Sequence, residues 1–222
     1  ILRMEGVGEF IKELDETLTK EIFFALKNNE MATILQKMQA EDIAELIEDL
    51  GPEMSVRIQE LLNKEDQLEV EEVLQYEDES AGRIMSHEFM AFDSELSIEA
   101  ARKRFREYGD EIEMPFYIYV IDSQTNKMVG VVSLRQLLLN TEEKILKDIM
   151  EIDFIFVSPN DDQEKVANIV SEYNYLALPV LNKQSELIGI VTVDDIMDVI
   201  REEATEDMLK MAGAGDDEDI LL

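Results

Sequence analysis

Asp195, Asp198, Glu202 and Glu206 recur at intervals of three and four residues. A helix turns about 100° per residue, so these four fall within about 80° of one another, with Glu203 and Asp207 on the flank. Ile196, Val199, Ile200, Ala204, Met208 and Met211 take the opposite side. Like charges four apart cost a helix roughly 0.2–0.5 kcal/mol per pair, so the row opposes itself until something neutralises it. A hard divalent cation is the natural counter-ion: Mg2+ takes carboxylate oxygens, keeps several waters and typically uses one or two carboxylates per site. With no cysteine and one histidine, His87, the chain is ill-suited to zinc or copper. Acids group twice more. Glu41, Glu45 and Glu48 share a helix face. Asp161, Asp162 and Glu164 open a helix, where the N-terminal dipole also favours anions, so capping and ion binding both stand as readings there.

The elements that position these groups follow from composition and pattern. The chain has 222 residues, enough for one or two cored domains, and a hydrophobic content of 45% that makes it globular. Fifty-two acids against 20 bases give a net charge of −32, which repels nucleic acid and anionic lipid and attracts cations. No apolar run approaches the roughly 18 residues of a membrane helix. The start has neither a basic nor an apolar leader region, so no signal peptide is expected. The absence of cysteine excludes disulfides and thiol nucleophiles and fits a reducing compartment. His87 has no evident nucleophile partner, which favours a surface or capping role, and no Walker loop or GxGxxG occurs. The chain therefore reads as a binding protein and not an enzyme.

Residues 1–76 read as an all-α domain: Ile22, Phe23 and Leu26, then Ile34, Leu35 and Met38, then Ile43, Leu46, Ile47 and Leu50 recur at three and four. Gly51-Pro52 ends one helix and opens the next, and Leu61, Leu62, Leu68, Val73 and Leu74 continue the pattern. Beyond residue 80 the chain says the same thing twice. Val129-Gly-Val-Val-Ser133 matches Ile188-Gly-Ile-Val-Thr192. Met85, Ala101 and Tyr108 match Met150, Val166 and Tyr173 at an offset of 65, Val120 matches Val180 at 60, and Gly130 matches Gly189 at 59. The first copy thus carries about six extra residues, mostly in 109–119. Each copy reads strand, helix, strand, turn, strand, helix, with turns at Asp122–Lys127 and Asn182–Ser185. Each last strand carries a glycine, where a side chain would block close approach of another group.

Leu178-Pro179-Val180 followed by Gly189-Ile-Val-Thr-Val-Asp-Asp195 resembles a tandem pair of cystathionine-β-synthase (CBS) domains. Tyr76-Glu-Asp-Glu-Ser-Ala-Gly-Arg-Ile-Met85, Asp161-Asp-Gln-Glu164 and Glu203-Ala-Thr-Glu-Asp-Met-Leu-Lys-Met-Ala-Gly213 closely resemble the cytosolic part of MgtE-type magnesium transporters and channels. The likeness covers about residues 40–213 and is strongest over 76–213. It implies an α+β chain with four parts. These are a helical N domain (1–76), CBS domain 1 (77–143), CBS domain 2 (144–200), both β-α-β-β-α, and an acidic connecting helix with its tail (201–222).

The resemblance also implies a mechanism. In that family Mg2+ bridges the helical domain, the second CBS domain and the connecting helix. Carried over by position, its ligands are Glu41, Glu45, Asp162, Glu164, Asp195, Asp198, Glu203, Glu206 and Asp207, with Asn174 standing where an aspartate is expected and so lacking its charge. Ions between the acidic surfaces favour the compact arrangement, which closes a membrane pore that is not part of this chain. CBS pairs also take adenine nucleotides, through a Ser/Thr and an Asp three residues later. The corresponding set is Ser133, Arg135, Gln136, Tyr175, Pro179 and Thr192, with Gln136 in the acidic position of the first copy, Arg135 suited to a phosphate and Tyr175 to stacking on adenine. The expectation is a homodimeric, cytosolic, Mg2+-regulated fragment at the membrane's inner face that takes up Mg2+ and, in second place, ATP. The alternative is a free-standing CBS protein sensing ATP or AMP.

Overall fold

The computed structural model describes residues 11, 14, 16–109, 112 and 114–211, and the side chains of all these except 16, 202, 206, 207 and 209–211. The chain divides into two compact units between Asp78 and Glu79. In the first, α1 (Glu16–Ala25), α2 (Asn28–Leu35), α3 (Ala40–Leu50), α4 (Pro52–Leu61) and α5 (Lys64–Val73) follow with brief turns. Helix α3 carries the richest apolar face and packs on α1, α4 and α5. Ile43, Ala44 and Ile47 meet Phe23, Met31, Met54, Ile58 and Val70 in one core. Gly51 takes φ +78°, a region that favours glycine, and lets Pro52 begin α4. The Asn63 side chain caps α5, accepting from the amides of Glu65 and Asp66 at 2.8 and 3.0 Å. Leu68 departs from the apolar pattern and is exposed, because α5 turns that side to solvent.

The second unit carries the expected α+β repeat. The first copy is β1 (Ala91–Asp93), α6 (Ile98–Tyr108), β2 (Tyr117–Asp122), β3 (Lys127–Ser133) and α7 (Leu134–Leu139), with sheet order β1-β2-β3. The second is α8 (Gln163–Tyr173), β4 (Ala177–Leu181), β5 (Leu187–Thr192) and α9 (Val193–Met211). Both hairpins shift register at the same place, Val120/Ile121 and Val180/Leu181. Ile118 and Val120 join the cluster beneath α6 and α7, whereas Tyr119 between them joins Ala177, Leu181 and Ile190 in the seam between the sheets.

One expected strand shrinks. The second copy's first strand is a single parallel bridge, Val157↔Val180. Val157 donates to the Pro179 carbonyl and accepts from Leu181 N–H, at 3.0 and 2.9 Å. In the first copy two further bonds flank this pair, Tyr119 N–H to Met90 O and Ser94 N–H to Ile121 O. Their equivalent donors here are Pro179 and Pro159, which have no N–H.

The two copies are completed by each other. Ser86, just before β1 of the first repeat, exchanges both backbone bonds with Ile190 of the second, at 2.8 and 2.9 Å. Glu151, its equivalent, exchanges both with Val131 of the first, at 2.9 and 3.0 Å. The preceding methionines cross with them: Met85 lies against Gly189 and Met150 against Gly130. The same exchange recurs at the helix starts, where Ser80 bridges Asp162 and Ile145 bridges Ser97.

Candidate functional site

Helix α9 is continuous from Val193 to Met211, so the acidic connecting segment is a direct extension of the second repeat. Its start is fixed by Thr192, whose hydroxyl donates to the Asp195 carboxylate. Ile196 and Val199 are buried and pack the helix toward α8, but Ile200 and Met208, on the same expected apolar face, are exposed. Asp198 is exposed and ion-paired with Arg201 at 2.8 Å. The Glu203 carboxylate accepts from Gln163 Nε2 at 3.1 Å, which brings α9 to the first turn of α8. The side chains of Glu206 and Asp207, with Glu202, lie outside the described residues.

At that first turn the capping reading holds for Asp162, whose carboxylate accepts from the amides of Glu164 and Lys165 at 2.9 and 3.3 Å. Asp161 accepts from Ser158 N–H at 2.8 Å and from Lys165 Nζ at 2.6 Å. Partial burial pushes its carboxyl upward, but the Lys165 and Ser158 bonds outweigh that and hold it below the usual carboxylate range. Glu164 is exposed. Asn174 ends α8 in the left-handed conformation, φ +53°, which asparagine tolerates better than most residues. In the first unit Glu41 and Glu45 lie one turn apart at the start of α3, the former buried and the latter exposed. Among the described residues, no three Asp, Glu or His side chains gather into a preformed metal cage.

The nucleotide candidates are engaged locally. Ser133 and Gln136 form a reciprocal capping box at the start of α7, and the Gln136 amide donates to Ile149 O and the Glu151 carboxylate at 3.2 and 3.1 Å. Thr192 is fully buried, Pro179 is buried in β4, and Tyr175 stacks on Tyr173 with centroids 6.0 Å apart. Arg135 is exposed. His87 caps nothing: both ring nitrogens are enclosed with no hydrogen-bond partner among the described residues. Sequence reasoning missed Gln163 and Arg201. Arg201 was legible as a base three residues from Asp198, whereas an amide between two acids gave no sign of its burial.

The CBS-domain family profile matches residues 81–142 and 146–202, and that of the MgtE intracellular N domain matches 1–79, further toward the start than the motifs alone suggested. The magnesium transporter MgtE of Enterococcus faecalis is 42% identical over 135 residues, 61% of this chain and 30% of that protein. That of Bacillus subtilis is 31% identical over 216 residues, 97% of this chain and 48% of that protein. The chain thus spans less than half the length of these two relatives. No helix among the described residues is long and apolar enough to cross a membrane. Among solved structures, the cytosolic domain of the Mg2+ channel MgtE in complex with ATP superposes with a TM-score of 0.84 at 29% identity, covering 89% of this chain and 81% of that one. The soluble part of a magnesium transporter gives 0.78 at 32% identity, covering 91% and 89%. With a helical N domain, two interlocked CBS repeats and an acidic helix that prolongs the second, the chain belongs to the MgtE family and has the domain order of that family's cytosolic region.

Proposed function

We propose that this chain is the Mg2+-sensing regulatory region of a magnesium transporter or channel, lying at the cytosolic face of the membrane and acting by binding, not turnover. The observation that carries the reading is that α9 leaves the second CBS repeat as one unbroken helix, on which Asp194 and Asp198 are exposed. A charge change on the repeats can thereby be transmitted along a rigid element toward a pore. The donor chemistry fits the ion: every candidate offers oxygen, and Asp198, Glu164 and Glu45 are exposed. In this reading the ions are shared between acidic surfaces. Glu41 and Glu45 of the N domain, Asp162 and Glu164 of the second repeat, and Asp195, Asp198, Glu203, Glu206 and Asp207 of α9 would hold them. Bound Mg2+ supplies charge neutralisation. The carboxylates repel without it, and the compact form gains by its higher affinity, about 2.7 kcal/mol per ion at a hundredfold excess over Kd. A CBS-paired homodimer is the proposed assembly.

Small-angle scattering tests this. The radius of gyration is expected to fall on adding millimolar Mg2+, and to fall much less in a Glu45→Ala/Asp198→Ala variant. Equal radii with and without the ion count against the reading.

The ATP-bound relative supports a second ligand, whose phosphates Arg135 would face. Calorimetric titration is expected to show ATP binding that weakens roughly tenfold in Arg135→Ala, since charge-assisted phosphate bonds contribute about 1.5–3 kcal/mol. The adenosine part, seen through AMP, is expected to change less. No heat with either nucleotide removes this ligand from the account.

A further inference from the structure

Gln163 is a buried polar residue where its twin in the first repeat, Ile98, is a fully buried apolar one. Both occupy the first position of a helix, and both backbone amides bond the segment that leads into the other repeat: Ile98 to Lys144 O at 2.9 Å, Gln163 to Glu79 O at 2.8 Å. The repeat itself therefore has no need of an amide there. Burying one costs free energy unless it is hydrogen-bonded. The difference between the copies lies overhead. Helix α7 stops at Leu139, whereas α9 continues past Glu203, and the Gln163 Nε2 donates to that carboxylate at 3.1 Å.

We infer that Gln163 is a positioning residue that fastens α9 to the second repeat without a cation, its neutral amide occupying the place that an acid–acid pair would leave to a bridging ion. One Glu203 carboxylate oxygen is held by the amide whether or not Mg2+ is present, which leaves the second oxygen for an ion. Gln163 thereby joins two connections, the linker through its backbone and the acidic helix through its side chain. The Mg2+-sensing proposal gives this its purpose, but the anchor stands on the contact itself.

Amide hydrogen exchange of the whole chain, in Mg2+ and in EDTA, tests it. In the wild type, exchange over residues 199–205 is expected to differ by less than twofold between the two conditions. Gln163→Met keeps the volume and removes the donor, and is expected to exchange roughly tenfold faster there in both, as loss of a bond to a charged group predicts. Gln163→Glu is expected to exchange fast in EDTA and slowly in Mg2+. Gln163→Glu/Glu203→Gln restores an amide–carboxylate pair with the roles reversed and is expected to be slow in both. A merely space-filling residue would not give that reversal. Wild-type exchange in Gln163→Met, or fast exchange in the double variant, overturns the inference; if Gln163→Met does not fold, the double variant decides alone. Wild-type scattering separates the two proposals, since a radius unmoved by Mg2+ removes the sensing reading while the exchange results still decide the anchor.

Discussion

Gly130→Ala is expected to destabilise the CBS unit by about 1–3 kcal/mol, the usual cost of overpacking a filled site. A Cβ there would stand 2.7 Å from Met150 Sδ and 2.9 Å from the Glu151 carbonyl oxygen. The sulfur could swing aside, but the carbonyl is tied to Val131 N–H at 3.0 Å and cannot. For Gly189→Ala the three nearest atoms all belong to the Met85 side chain, from Sδ at 2.7 Å to Cβ at 3.1 Å. The two equivalent substitutions should therefore respond differently to relief. Met85→Ala alone should cost about 2–5 kcal/mol as a core truncation. Added to Gly189→Ala it should show a favourable coupling of about 1 kcal/mol or more, whereas Met150→Ala should leave most of the Gly130→Ala penalty in place. Denaturant unfolding of both cycles measures this; identical couplings would show that the carbonyl contact has no influence.

Arg102→Ala should cost about 2–3 kcal/mol, and Arg102→Lys should recover only a minor part. The guanidinium donates to Leu137 O, Leu138 O and Asn140 O at 2.7–3.1 Å and pairs with Glu142 at 3.2 Å. It closes the C-terminus of α7, where carbonyls lack intrahelical partners and the dipole welcomes a cation. A single ammonium cannot reach three carbonyls in the same geometry. The equivalent position in the second copy is Ala167, which is buried and apolar. Helix α9 satisfies its own carbonyls by continuing, so no fork is needed there. A melting temperature lowered by roughly 4–12 °C in Arg102→Ala, with little return in Arg102→Lys, is the expected result; full recovery by lysine would show that charge alone is what matters.

The repeat was the most legible feature, because offsets of 65, 60 and 59 in the residues recur in the hydrogen bonds: Ser86 and Glu151, Val131 and Ile190, Ser97 and Asp162 all behave as pairs. The crossing was not legible. Similarity tells which residues are equivalent and not which ones touch, so nothing in Met85 or Gly130 says that each meets the other copy's partner. The shortened strand was written in Pro159 and Pro179, whose missing N–H groups are a local fact. At the candidate site, the caps of Asp162, Ser133 and Thr192 follow from residue type at a helix start. Gln163 does not, since its burial depends on a helix that passes over it forty residues later. The exposure of Met208 likewise reflects where α8 begins, opposite Glu203, which periodicity in α9 cannot report.

The crossed arms also bear on how such a chain is made. A nascent first repeat lacks an edge partner for Val131 until Glu151 has left the ribosome, and Ser86 waits for Ile190. Neither half closes on its own schedule, so the unit should acquire its structure late and in one step, with the helical domain already able to form ahead of it. Cutting the gene between the repeats should therefore yield two insoluble pieces, where a simple duplication of self-sufficient modules would yield two folded ones.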